Sequence, residues 1–176
     1  MPTRNDACSF IETIVAELIP CRSMVYVGDR HDTHQWWHTT LHTALACPDI
    51  DIIDISEKNL QGSRDRHSKL VRRFIAGDVR TTELVGYDLV LWDEGPEHVP
   101  REDALLTLSR LIMDNSHVMI SCPWGYQPQG SGPDDGEFHH WGPMPDDFES
   151  IGMKVRLFGT MFDGTGGGHG NLIAWS

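Results

Sequence analysis

Four short apolar runs, each ending at a glycine or a carboxylate, constrain this chain more than any other feature: SMVYVGD, IDIIDI, RFIAGDV and DLVLWDE. Their length and their content of Val, Ile and Leu read as strands over 23–27, 50–55, 73–76 and 88–92, buried on both faces. HVMIS at 117–121 reads as a fifth. Segments of helical spacing separate them. One covers 34–46, stopped by Pro48, and a polar one covers 57–71 behind a candidate cap, Ser56. The clearest covers 101–113, where Leu105, Leu108, Leu111 and Ile112 make one stripe opposite charged residues. An amphipathic helix is expected over 7–19, carrying Phe10, Ile11, Ile14, Val15, Leu18 and Ile19 and ending at Pro20. Residues 123–145, rich in Gly, Pro and aromatics, read as a long loop. A short helix over 144–151 follows, then strands over 154–158 and 171–175 with a GTGGGHG turn between them. Strands alternating with helices imply βαβ units, a parallel sheet and helices on both of its faces. Ligands of such a sheet bind outside the carboxyl ends of the strands, where strand order reverses.

The 176 residues suit one domain over 1–176, a helix within 1–20 leading into a sheet core over 21–176. At 39% hydrophobic and 23% charged residues, the chain has enough apolar surface for a core, so a globular domain is expected. A net charge of -12 opposes binding to phosphate backbones, so no nucleic-acid partner is expected. Cys8, Cys21, Cys47 and Cys122 form no C-x-x-C pair and have apolar neighbours, which reads as reduced, buried thiols. No basic stretch followed by a long apolar run opens the chain, and no apolar run approaches membrane-spanning length. The expected compartment is the cytoplasm, with no membrane partner.

The residues that close the apolar runs are Gly28-Asp29, Asp54-Ile55, Gly77-Asp78-Val79 and Asp93-Glu94. A glycine after the first strand lets the backbone approach a ligand. A carboxylate after the second accepts hydrogen bonds from ribose hydroxyls, and one after the third accepts from an adenine amino group. A single Asp at a strand end is more often a turn or helix cap. Repetition after four successive strands points instead to a nucleoside-binding edge.

Five segments carry a family resemblance: IDIIDISEKNL, FIAGDVR, YDLVLWDEGPEHVPREDAL, HVMISCPWGYQPQG and EFHHWGPMPDDFESIGMKV. In their order and spacing they resemble the class I S-adenosylmethionine (SAM)-dependent methyltransferases, of the small type 11 and type 23 kind. The resemblance implies a Rossmann-like three-layer αβα sandwich, an α/β fold whose mostly parallel sheet has an antiparallel last strand. It implies SAM as cofactor, with Asp54 on the ribose, Ile55 beside it, and Asp78 and Val79 at the adenine. Gly28, Asp29, Asp93 and Glu94 complete the expected cofactor set. Two departures stand out. The first motif keeps only Gly28, followed by DRHDTHQWW, and Gly95-Pro96 replaces two apolar residues of the fourth.

His98, His139 and His140 fall in segments that the resemblance puts on the acceptor side. A base there takes the proton of an oxygen or nitrogen acceptor. Trp124, Tyr126 and Trp141 either wall the acceptor or pack the long loop onto the sheet. The implied acceptor is a small molecule or saccharide, and the resemblance leaves room for a homodimer. Two further readings stay open. A member of the fold that binds without catalysing is suggested by the altered first motif. A metal-dependent phosphoesterase is suggested by Asp29-x-His31, Gly77-Asp78-x-Arg80 and Gly168-His169-Gly170-Asn171. His34, His38 and His42 share one helical face, but a solvated face accounts for them, and no metal ligand set is assigned.

Overall fold

The structure of the protein, a computed structural model, describes residues 4–17, 20–28, 47–133, 136–164, 168 and 170–176. Its helices are α1 (Arg4–Glu17), α2 (Glu57–His67), α3 (Arg101–Asp114) and α4 (Pro145–Glu149), with a 3₁₀ turn at Pro96–His98. Its strands are β1 (Ser23–Val27), β2 (Asp49–Asp54), β3 (Arg73–Ala76), β4 (Leu89–Asp93), β5 (His117–Pro123), β6 (Gly125–Tyr126), β7 (Lys154–Phe158), β8 (Phe162–Asp163) and β9 (Asn171–Trp175). The helix expected over 34–46 lies outside the described residues.

The main sheet has the order β3-β2-β1-β4-β5-β9-β7. β3, β2, β1, β4 and β5 pair in parallel, while β9 is antiparallel to both β5 and β7. The chain therefore builds outward from β1 in one direction, returns, and builds in the other from β4. The last strand is antiparallel, as expected, and is inserted between β5 and β7.

Alternation along each strand divides the core. Met24, Tyr26, Ile50, Ile52, Leu89 and Leu91 face α1 and α2, meeting Ile11, Val15 and Leu60. Val25, Val27, Ile53, Val90 and Trp92 face the other way, meeting Leu108 and Leu111 of α3 and Phe148 near α4. The result is three layers, helix on sheet on helix.

Two elements differ from the sequence reading. The polar helix over 57–71 ends at His67, because the Leu70 and Val71 N–H groups both turn back to the His67 carbonyl and lead the chain into β3. The long loop and the residues just before the glycine-rich turn form two short strands, β6 and β8, which pair in parallel as a separate ribbon. The cap at Ser56 forms as read: its hydroxyl accepts the Asn59 N–H at 3.3 Å. Cys21, Cys47 and Cys122 are free and buried. No helix among the described residues is long and apolar enough to cross a membrane.

Candidate active site

Because β1 to β4 run parallel, their carboxyl ends share one edge, and the segments that follow them enclose a cavity of about 570 Å³. Gly28 closes β1. Its N–H donates to the Ile53 carbonyl at 2.9 Å, and its φ of 81° is one that only glycine adopts without strain. Among the described residues no atom lies within 4 Å of where a Cβ would stand, so Gly28 presents backbone to the cavity.

Asp54 closes β2. Its carboxylate accepts the Ser56 N–H at 2.7 Å and the Asn59 amide at 3.3 Å on each oxygen, which fixes its orientation at the cavity. Ile55 follows and is 73% exposed on the cavity wall. Asp78, just past β3, is gripped by Arg80, whose backbone N–H and guanidinium donate to it at 2.6–3.0 Å. The guanidinium holds the Asp78 carboxyl below the ordinary carboxylate range. Val79 is buried beside it, its carbonyl held by Arg110 at 2.6 Å.

The turn after β4 is unusual. Glu94 has a φ of 48°, the one positive value at a non-glycine residue among the described residues. It is fixed by its N–H to the Ser121 carbonyl at 2.9 Å and by the Asn171 amide at 3.2 Å. At Gly95 an added Cβ would lie 1.9 Å from the Trp92 Nε1. The Gly95-Pro96 departure thus makes room for an indole that itself lines the cavity.

Eight sequence candidates meet at this cavity: Gly28, Asp54, Ile55, Asp78, Val79, Glu94, His98 and His140. Asp93 does not. It follows Leu89 and Leu91 in strand alternation, turns inward, and accepts hydrogen bonds from the Tyr26 hydroxyl at 3.1 Å and from Ser121. His139 is buried behind the cavity rather than on its wall. Asp29 lies outside the described residues. Trp124, Tyr126 and Trp141 do not line the cavity. Trp141 instead packs on Phe148 and donates its indole N–H to the Pro96 carbonyl at 3.1 Å.

Behind His98 stands Glu97, fully buried. Burial pushes its carboxyl well above the ordinary range, and the neighbouring charges of Glu94 and Asp93 push the same way. The Nε2 atoms of His98 and His139 each lie 4.0 Å from its Oε1. Among the described residues, these three bring potential metal-ligand atoms together, all within 4.8 Å. The sequence shows Glu97 within EGPEH, but nothing local signals its burial. Asn59 and Trp92 were also missed, since their roles depend on partners fixed by the fold.

No protein-family model and no curated protein matches the sequence. Solved structures do. A SAM-dependent methyltransferase from Clostridium acetobutylicum is similar over 96% of this chain and 89% of its own, with 9% identity and a TM-score of 0.66. Magnesium protoporphyrin IX methyltransferase from Synechocystis, solved with bound SAM, is similar over 96% of this chain and 79% of its own, with 17% identity and a TM-score of 0.62. Mitomycin 7-O-methyltransferase is similar over 97% of this chain at 12% identity and a TM-score of 0.60, and the chain spans 55% of its length.

The chain has the class I SAM-dependent methyltransferase fold. Within that methyltransferase fold the cavity lies where strand order turns back, between β1 and β4.

Proposed function

We propose that the protein transfers a methyl group from SAM to a small-molecule or saccharide acceptor. The observation that carries this reading is a single cavity, in a chain of this fold, lined by Gly28, Asp54, Ile55, Asp78 and Val79. Its volume of about 570 Å³ lies in the range that takes cofactor-sized ligands. The donor set suits an adenosine. Asp54 offers a carboxylate to ribose hydroxyls, and the exposed Ile55 and the Val79 side offer apolar surface to the base.

SAM supplies an electrophilic methyl group. The chain's own residues hold the two reactants in line and exclude water, since displacement at a methyl needs alignment above all. When the acceptor oxygen or nitrogen gains the methyl it gives up a proton, and His140 on the cavity wall is the proposed recipient. Single-domain organisation, a cytoplasmic location, a homodimer and the lack of nucleic-acid or membrane partners belong to the same reading, and the acidic charge supports the lack of a nucleic-acid partner.

The test is calorimetry and thermal shift with SAM and S-adenosylhomocysteine. Both ligands are expected to raise the melting temperature, because they bind the folded state alone. Asp54→Asn is expected to weaken binding about tenfold or more, the worth of one charge-assisted hydrogen bond. Ile55→Asp is expected to weaken it with little change in apo stability, since its side chain is exposed. No heat and no shift at saturating ligand would defeat the proposal.

One feature favours a binding protein without turnover: the first motif keeps only Gly28, followed by the bulky and charged DRHDTHQWW. Tight SAM binding with no methyl transfer across a panel of small hydroxyl and amine acceptors would select that reading. The phosphoesterase reading loses support, because Asp78 pairs with Arg80 and the fold is a methyltransferase fold.

A further inference from the structure

We propose that Glu97, His98 and His139 form a binding site for a divalent transition-metal ion just behind the wall of the cavity, reaching it through His98. The first observation is geometric. Each histidine Nε2 is 4.0 Å from Glu97 Oε1, too far for a hydrogen bond. Oxygen and nitrogen ligands of a divalent ion sit at about 2.0–2.2 Å from it, hence roughly 3–3.5 Å from each other. The three atoms lie within 4.8 Å of one another, so a contraction of about 1–2 Å in their separations brings them onto one ion.

The second observation is the state of Glu97. It is fully buried, and neither carboxylate oxygen accepts a hydrogen bond among the described residues. A buried carboxylate in that condition is costly unless a cation or a proton neutralises it.

The third observation is the tautomer of His139. Its Nδ1 stands 2.7 Å from the Gln127 carbonyl, which only accepts, so Nδ1 carries the proton. Nε2, 4.0 Å from Glu97 Oε1, is then the ring nitrogen on the carboxylate's side, the one a metal ion would use. A ring N–H anchored on a backbone carbonyl is also the usual outer support of a metal-binding histidine.

The frame is rigid. Glu97 and His98 lie in the 3₁₀ turn, and the His140 N–H donates to the Glu97 carbonyl at 2.8 Å, tying the segment that carries His139 to that turn. Two imidazoles and one carboxylate suit zinc, cobalt, manganese or ferrous iron better than calcium or magnesium. His98 and Glu94 both reach the cavity wall, so the remaining coordination positions face the cavity. An acceptor hydroxyl entering there would lose its proton more readily on the ion. That last step rests on the methyl-transfer reading, while the metal site does not.

The probe is Co²⁺, titrated into the tag-free full chain without SAM and read by its visible absorption. One ion per chain is expected, displaced by Zn²⁺. Glu97→Gln and His139→Asn are each expected to cost at least about 100-fold in affinity. A variant lacking His34, His38 and His42 is expected to bind as the parent does. Glu97→Gln keeps the shape of the buried carboxyl and carries no charge to neutralise, so its metal-free melting temperature is expected to match or exceed the parent's, which separates lost binding from lost folding. No cobalt absorption, or absorption that survives Glu97→Gln or vanishes with the 34/38/42 histidines alone, overturns the site. Because SAM is absent, these results stand apart from any failure of the methyl-transfer reading.

Discussion

Asp51 lies fully buried on β2, with Arg72, Arg73 and the Tyr87 hydroxyl all donating to it at 2.6–3.0 Å. Burial pushes its carboxyl up, but the hydrogen bonds from Arg72, Arg73 and Tyr87 outweigh burial and hold it at about 2. An unfolded Asp titrates near about 3.9. The folded value is the lower one, so the stabilisation is complete above the unfolded value and is lost as pH falls through about 2. Its size is roughly 2 kcal/mol. Urea titrations between pH 6 and pH 2 are expected to show that loss in the parent protein and a smaller one in Asp51→Asn. At neutral pH Asp51→Asn is expected to be less stable by roughly 2 kcal/mol, because both arginines are half-exposed and can turn to water. An equal acid loss in both proteins would contradict the assignment. In the sequence Asp51 and Asp54 look alike, two carboxylates in IDIIDI. Only the register that brings Arg73 and Tyr87 over β2 makes one structural and leaves the other at the cavity. The inward turn of Asp93 is hidden for the same reason, since Tyr26 and Ser121, which hold it, are far away in the chain.

Among the elements, the strands were the most legible part of the fold, because each is a short apolar run cut off by glycine or a carboxylate. The ends of α2 and the β6–β8 ribbon were not. A helix end set by a turn back to His67, and strands of two residues, depend on pairing rather than on pattern. The turn after β4 lies between these cases. In the sequence Gly95-Pro96 stands out only as a departure, and the structure gives its reason: Glu94 at positive φ, then Gly95 against the Trp92 ring. Gly95→Ala must displace an indole that is buried in the core. It is expected to cost roughly 2 kcal/mol or more and to disturb the cavity wall. Gly28→Ala meets no atom of the described residues within 4 Å, and its φ of 81° is expected to cost about 1 kcal/mol. Chemical denaturation of the two variants checks the order. A Gly28→Ala protein less stable than Gly95→Ala would refute the steric account.

At the scale of the whole molecule, the alternation of strands and helices made the layers and the parallel core readable, but not the place of the final strand. Nothing local to 171–175 states that it enters between β5 and β7, since that is decided by which edge remains uncovered once the parallel strands are paired. The same topology predicts how stability is distributed. β1 and β4 are central and buried almost throughout, while β3 and β7 are edge strands with exposed positions. Amide hydrogen exchange is therefore expected to be slowest in β1 and β4 and faster in β3 and β7. SAM provides the sharper contrast. If the cavity is its site, added protection is expected at Gly28, at 54–56 and at 77–79, residues far apart in the chain that share one edge of the sheet. Slowing in the two core strands would follow as well, because a ligand that binds only the folded state raises the free energy of global opening. Protection confined to the β6–β8 ribbon, or none at the three carboxyl-end segments, would place any bound SAM elsewhere and break the link between the fold and the proposed activity.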